Sequence, residues 1–161
     1  FPTRRSSDLV SPDAALLAYS LDETGALDFT LRVRDLAKTD PRIAVTGWVK
    51  DIRSSYARSR IFIAPMQIGT GLQNKLLEAM AMRIPCITST LANNAVGAPP
   101  GDAILIGNTP EDYAALILRL LSDPAERERV AENGYRFVRA NFDWDRSAEA
   151  LERLIAGTPK P

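Results

Sequence analysis

The apolar positions along this chain fall into two kinds of run, and their alternation predicts its architecture. Short apolar stretches at 43–46, 61–64, 86–88 and 103–106 read as strands. The clearest, Ile61-Phe-Ile-Ala64, is apolar without alternation, as expected where a sheet is covered on both faces. Residues 14–19 read as another strand, although periodicity alone also allows a short helix. Between these stretches the period lengthens. Leu27, Phe29, Leu31, Val33 and Leu36 predict a helix over 27–36, with some spacings of two, broken at Asp40-Pro41. Residues 51–58 predict a short helix with Ile52 and Tyr56 facing inward. A longer one opens at Thr70, turns Leu72, Leu76, Ala79 and Met80 toward the sheet, and closes at Ile84-Pro85, where proline disfavours helical geometry in the residue before it.

The second half is mostly helical. Thr109-Pro-Glu-Asp112 supplies an N-cap, a proline at the first helical position and acid in the first turn. Tyr113, Leu116, Ile117, Leu120 and Leu121 follow at amphipathic spacing. Asp123-Pro124 starts another helix with Val130, Gly134, Phe137 and Val138 inward. Asp143 caps a last one, expected to bury Trp144, Ala148, Leu151, Leu154 and Ile155, and Gly157 ends it. Residues 89–102, rich in Asn, Gly and Pro, read as a loop.

Strands alternating with helices imply a Rossmann-like, doubly wound α/β fold, with a mostly parallel sheet and helices on both faces. Ligands of such sheets bind beyond the carboxyl ends of the strands. Three segments leave those ends, at 47–50, 65–71 and 89–98, and they are expected to line one crevice.

Composition narrows the chemistry. A chain of 161 residues with 45% hydrophobic and 25% charged positions fits one soluble globular domain. Twenty basic and twenty acidic residues cancel, so no net field recruits nucleic acid or an anionic membrane. Histidine is absent, which excludes a Ser-His or Cys-His pair and a His-based metal site. The lone cysteine, Cys86, can form no intrachain disulfide, in keeping with a reducing compartment, and reads as a small core residue. No apolar run approaches the roughly 20 residues of a membrane helix. Residues 1–9 resemble the translation of a sequencing-adapter oligonucleotide, which would make the chain a fragment; residues 10–157 form the domain and 158–161 a loose tail.

The candidate site is Gly69-Thr-Gly-Leu-Gln-Asn-Lys-Leu-Leu-Glu-Ala-Met-Ala-Met82, directly after the strand at 61–64. A strand that runs into a glycine loop opening a helix presents free N–H groups and the positive end of a helix dipole, a place where anions are held. The same residues have a plain structural reading. Thr70 and Gln73 match a capping box, and Lys75 and Glu78, three apart, match an exposed ion pair on the helix face away from the sheet. Asn93 and Asn94 either reach a ligand or make a turn. Trp144 reads as the anchor of the last helix on the sheet, the alternative being a crossing toward a partner domain.

Taken as a string, residues 69–81 followed by Ile84-Pro-Cys-Ile-Thr-Ser89 resemble the donor-binding motif of retaining GT-B glycosyltransferases. The likeness continues through Asn93-Asn-Ala-Val-Gly-Ala98, the strand at 103–106 and Arg139-Ala-Asn-Phe-Asp-Trp144, covering about 42–155. It is nearest to the group 1 bacterial sugar transferases of exopolysaccharide gene clusters. The resemblance implies the C-terminal, donor-binding half of a GT-B fold. That half transfers a hexose from a UDP- or GDP-linked sugar to an acceptor glycan or lipid-linked sugar, with retention. It implies no further cofactor, no metal and no nucleic acid. An N-terminal domain of similar fold would supply the remaining groups, so this half alone is expected to bind donor weakly and turn over nothing.

Two glutamates eight positions apart mark the family's site. Glu78 takes the place of the second, which contacts the ribose hydroxyls; position 70, the place of the first, is threonine and offers the donor sugar no carboxylate. The amides of Gly71 and Leu72, with Lys75, would hold the diphosphate within a donor-binding stretch that also takes in Gly69, Thr70, Gln73 and Asn74. Val49 would face the nucleobase through its backbone. Arg83 stands where relatives carry a helix-ending glycine, so this helix is expected to end differently. No residue of this half is assigned as catalytic. The resemblance implies a cytoplasmic location, with peripheral association at the inner membrane open for a full-length protein. Two other readings stay open: a nucleotide-sugar epimerase of the same fold, and a non-catalytic α/β interaction domain.

Overall fold

Unbroken burial along the central strands shows that the sheet is covered on both faces. A computed structural model of the chain describes residues 8–10, 17–18, 44–46, 49–66 and 71–157. The sheet joins β1 (Asp8–Val10), β2 (Leu17–Ala18), β3 (Ala44–Thr46), β4 (Phe62–Ala64), β5 (Cys86–Thr88) and β6 (Leu105–Ile106) in the order β3-β1-β2-β4-β5-β6. β2, β4, β5 and β6 are parallel, with Phe62 opposite Cys86 and Ile87 opposite Leu105. β1 runs antiparallel to both its neighbours, which makes the sheet mixed at that side, and it takes in Asp8 and Leu9. Neither is legible in the sequence, because pairing direction leaves no local signature. The helix expected over 27–36 and the tail at 158–161 lie outside the described residues.

Phe62, Ala64 and Cys86 face one layer, where they pack with Tyr56, Leu76, Met80, Val96 and Val138. Ile61, Ile63, Ile87 and Leu105 face the other, against Leu120 and Val130. Helices therefore cover both faces, as the uninterrupted apolar strand predicts. On the first face lie α1 (Arg53–Ala57) and α2 (Asn74–Ala81). The long α5 (Pro124–Asn141) crosses close by, and Gly134 makes the approach possible. A Cβ there would sit 3.0 Å from the Ala103 carbonyl oxygen and 3.4 Å from the Met80 methyl.

Residues 89–102 are not all loop. Ser89 caps α3 (Thr90–Val96) by accepting the Ala92 amide, and Gly97, at φ +72°, ends it in the left-handed conformation. A seven-residue helix is too short to show a clear period beside four turn-forming residues, although a serine cap and a glycine stop were both readable.

At α4 (Pro110–Ser122) the predicted cap is present in full. The Thr109 hydroxyl accepts the Asp112 amide at 3.1 Å, and Asp112 Oδ2 accepts the amides of Asn108 at 2.9 Å and Thr109 at 3.0 Å. Those donors, Asn108 first, hold the Asp112 carboxyl below its usual range. Unfolded, it titrates near the ordinary value of about 4. The stability it contributes is therefore complete above that pH and is lost as pH falls through the lower folded value. Asp112→Asn should make the acid-side fall of the urea midpoint shallower below about pH 4. An acid limb identical to that of the parent chain would contradict this role for the carboxylate.

Two sequence expectations need correcting. Arg83 does not change how α2 ends: it adopts the left-handed φ of 54° itself, a conformation that costs a side chain what it costs glycine little. Its guanidinium donates to Glu132 Oε2 at 3.0 Å and lies 3.6 Å from the centre of the Tyr135 ring, contacts that a glycine there would lack. The last helix, α6 (Trp144–Ile155), is capped by Asp143 as expected, but none of its residues is buried. Trp144 is 89% exposed, and Leu151, Leu154 and Ile155 are also exposed. Trp144 therefore does not anchor this helix on the sheet. Helical period reports a one-sided apolar face and not the surface that face meets.

Candidate functional site

The carboxyl ends of the parallel strands β4, β5 and β6 are tied together by short side chains. The Thr88 hydroxyl donates to the Ala64 carbonyl at 2.8 Å, and Ser89 Oγ donates to the Met66 carbonyl at 2.5 Å. Past β6, the Asn108 amide group donates to Thr90 Oγ1 and its oxygen accepts the Thr90 amide, both at 3.0 Å. Loops leaving β4, β5 and β6 thus meet at one edge, as expected for ligand-binding doubly wound sheets.

The helix at that edge starts later than Thr70. It begins at Asn74, and Gln73 is its N-cap, with no cap hydrogen bond from the Gln73 side chain. Gln73 thus stands at the N-cap and not at the third helical position that a Thr70–Gln73 capping box would need, and its side chain donates to the Gly71 carbonyl at 2.8 Å. The pattern misled because glutamine at 73 satisfies the turn before the helix and not its first amide. Gly69 and Thr70 lie outside the described residues. Gly71 and Leu72 precede the helix; Leu72 is 47% exposed and not on the buried face. A Cβ built on Gly71 would meet no heavy atom within 4 Å, so the space beside this residue is open among the described residues. The amides beyond reach of intrahelical carbonyls belong to Asn74 and Lys75, and no acidic side chain occupies the first turn to offset their positive field.

Lys75 and Glu78 separate in a way spacing did not show. Lys75 is buried, at 5% exposure, beside Leu76 on the inner side of the helix, whereas Glu78 is exposed. They do not form the exposed pair. Both meet Tyr56 instead: its hydroxyl donates to Glu78 Oε2 at 3.1 Å and approaches the Lys75 carbonyl oxygen at 3.4 Å. Tyr56 is 1% exposed and stands edge-on to Phe62, ring centres 5.7 Å apart. Sequence reading turned Tyr56 inward but missed this contact. The signal was present, since a buried tyrosine hydroxyl requires a polar partner. Val49, half-buried, lies just before the turn into α1, the helix that carries Tyr56.

Asn93 makes the turn and not a ligand contact. It is buried, its Nδ2 donates to the Ala98 carbonyl at 2.9 Å and its Oδ1 accepts the Ala98 amide at 3.2 Å. Asn94 is exposed. Cys86 is fully buried and burial pushes its thiol well above the usual range, so it is no nucleophile. Among the described residues no three His, Cys, Asp or Glu side chains come together as metal ligands, and no helix is long and apolar enough to cross a membrane.

The fold is that of one half of a GT-B glycosyltransferase. Sucrose-phosphate synthase from Thermosynechococcus elongatus matches it with a TM-score of 0.67 at 21% identity, over 89% of this chain and 39% of that one. The family model described as glycosyl transferases group 1 matches residues 21–123, more than half of the chain. The chain belongs to that family. A GDP-mannose-dependent monoacylated alpha-(1-6)-phosphatidylinositol monomannoside mannosyltransferase of Corynebacterium glutamicum is 26% identical over 92% of the chain and 40% of its own length. Spore coat protein SA of Bacillus subtilis is 35% identical over 63% of the chain and 28% of its own length. The lipopolysaccharide core biosynthesis mannosyltransferase LpcC of Rhizobium leguminosarum is 32% identical over 68% and 32%. The chain thus spans 28 to 40% of the length of these curated relatives.

Proposed function

We propose that this chain is the donor-binding half of a retaining hexosyltransferase, taking a nucleotide-diphosphate sugar at the edge where β4 and β5 end. One observation carries the reading. A solvent-facing carboxylate, Glu78, is held by a buried hydroxyl in the second turn of a helix whose N-cap side chain makes no cap hydrogen bond and whose first turn is free of acid. A diphosphate and the diol of its nucleoside need an electropositive amide cluster and an acceptor carboxylate a helical turn apart, and α2 offers both.

In this reading Asn74 and Lys75 contribute helix-end amides, and Gly71 and Leu72 lie in the open approach to them, with Gly69, Thr70 and Gln73 in the same stretch. The Lys75 charge acts on the diphosphate from within the protein, at short range in a medium of low dielectric. Glu78 accepts from the ribose hydroxyls, and Val49 borders the base. The task of this half is to stabilise charge growing on the leaving diphosphate, which needs positioned donors more than a proton relay. The apolar stripe of α6 supports a second domain packed there, the half that would carry acceptor contacts. The GDP-mannose dependence of the Corynebacterium relative puts GDP first among the probes.

Calorimetric titration of the chain with GDP and with UDP tests the reading. Saturable binding of one of them, at the weak affinity of a half-site, is the expected result. Indifference to both would favour an α/β interaction domain. Product formed from the donor without any acceptor would favour an epimerase.

A further inference from the structure

Glutamate at the end of three rotatable bonds is a poor template for a diol unless something fixes its rotamer. In this fold something does. Tyr56 Oη donates to Glu78 Oε2 at 3.1 Å, which uses one lone pair of one oxygen and leaves Oε1 and the other lone pair of Oε2 to accept. The tyrosine cannot follow a wandering carboxylate, because its ring is 1% exposed and packs edge-on against Phe62 of β4 at 5.7 Å and 60°. Its hydroxyl also lies 3.4 Å from the Lys75 carbonyl oxygen, one turn before Glu78, so it reads the helix and the side chain together. A rigid path thus runs from the central sheet through Phe62 and Tyr56 to an exposed acid.

From this we infer that Tyr56 is a positioning residue for donor binding: it preorganises the Glu78 carboxylate for the hydroxyls of a nucleoside diphosphate. The inference rests on the donor reading of Glu78. In this role Tyr56 acts through Glu78 and is not itself a substrate contact. Ordering one rotamer-rich side chain before binding corresponds to about three- to tenfold in affinity.

Tyr56→Phe removes the hydroxyl and keeps the ring, its burial and its contact with Phe62. GDP and UDP are titrated into four forms of the full chain: unmodified, Tyr56→Phe, Glu78→Ala, and the two combined. The inference predicts about three- to tenfold weaker binding for Tyr56→Phe alone and under about 1.5-fold further loss when it is added to Glu78→Ala. A purely structural tyrosine would lower affinity equally in both backgrounds, which would overturn the inference, as would unchanged affinity in the single variant. Three-bond couplings across Glu78 χ1 give a second readout without ligand: one rotamer in the parent chain and averaging in Tyr56→Phe. One unaveraged rotamer in both forms would also overturn it. If the unmodified chain binds neither nucleotide while the couplings still change, the donor reading itself has failed and this inference falls with it.

Discussion

Glu78→Ala should weaken nucleoside diphosphate binding by about 10- to 100-fold while leaving the unfolding free energy nearly unchanged. The size follows from the loss of charge-assisted hydrogen bonds to two hydroxyls, worth about 1.5–3 kcal/mol together where solvent is partly excluded. The small stability effect follows from the position. Glu78 is exposed and lies on the outer side of α2. Its removal opens no cavity, and the Tyr56 hydroxyl keeps the Lys75 carbonyl within reach at 3.4 Å. Glu78→Gln should fall between parent and alanine, because the amide keeps one acceptor oxygen but loses the charge. Calorimetry gives the affinities and urea unfolding the stabilities. Parent-like affinity in Glu78→Ala would remove the carboxylate from the donor site.

The converse is expected one turn inward. Leu76→Ala should lower stability by about 2–5 kcal/mol, the range for truncating a buried leucine where the surroundings collapse only in part. Leu76 is 0% exposed in the layer formed by Tyr56, Phe62, Ala79, Met80 and Cys86. Since α2 rests on the sheet through Leu76, Ala79 and Met80, the loss falls on the helix that carries the site. At temperatures well below its lowered midpoint the variant should still bind nucleotide within a few-fold of the parent. Glu78 and Leu76 stand two positions apart, so opposite outcomes for the two variants separate binding from folding on one helix. A Leu76→Ala chain as stable as the parent would mean that the inner face of α2 is not what holds it.

How legible this molecule is in its sequence depends on which force sets each feature. The strand at 61–64 and the caps at Thr109, Asp123 and Asp143 are local: burial on both faces and a side chain answering its own helix are written in neighbouring residues. Direction of pairing is not local, and β1 turned against its neighbours unannounced. The donor stretch was recognisable as a string, yet its geometry was not. Helix spacing placed Lys75 with Glu78 on an outer face, but in the fold Lys75 is buried and Glu78 exposed. Thr-x-x-Gln looked like a box because four-residue patterns ignore where the preceding turn needs its hydrogen bond, and Gln73 went to Gly71. Arg83 kept the left-handed end that glycine usually supplies because Glu132 and Tyr135, from a helix some fifty positions on, receive its side chain. The exposed stripe of α6 carries the same lesson: a period predicts a face, and only an assembled surface says what covers it.

Amide chemical-shift mapping of the isotope-labelled chain with GDP and UDP tests the central claim most directly. The account predicts that the largest shifts fall on Gly71 to Glu78, with smaller ones at Val49 and Lys50, and that the shifts in the 71–78 stretch vanish in Glu78→Ala. Shifts concentrated on α5 or α6, or none at either nucleotide's millimolar excess, would contradict it.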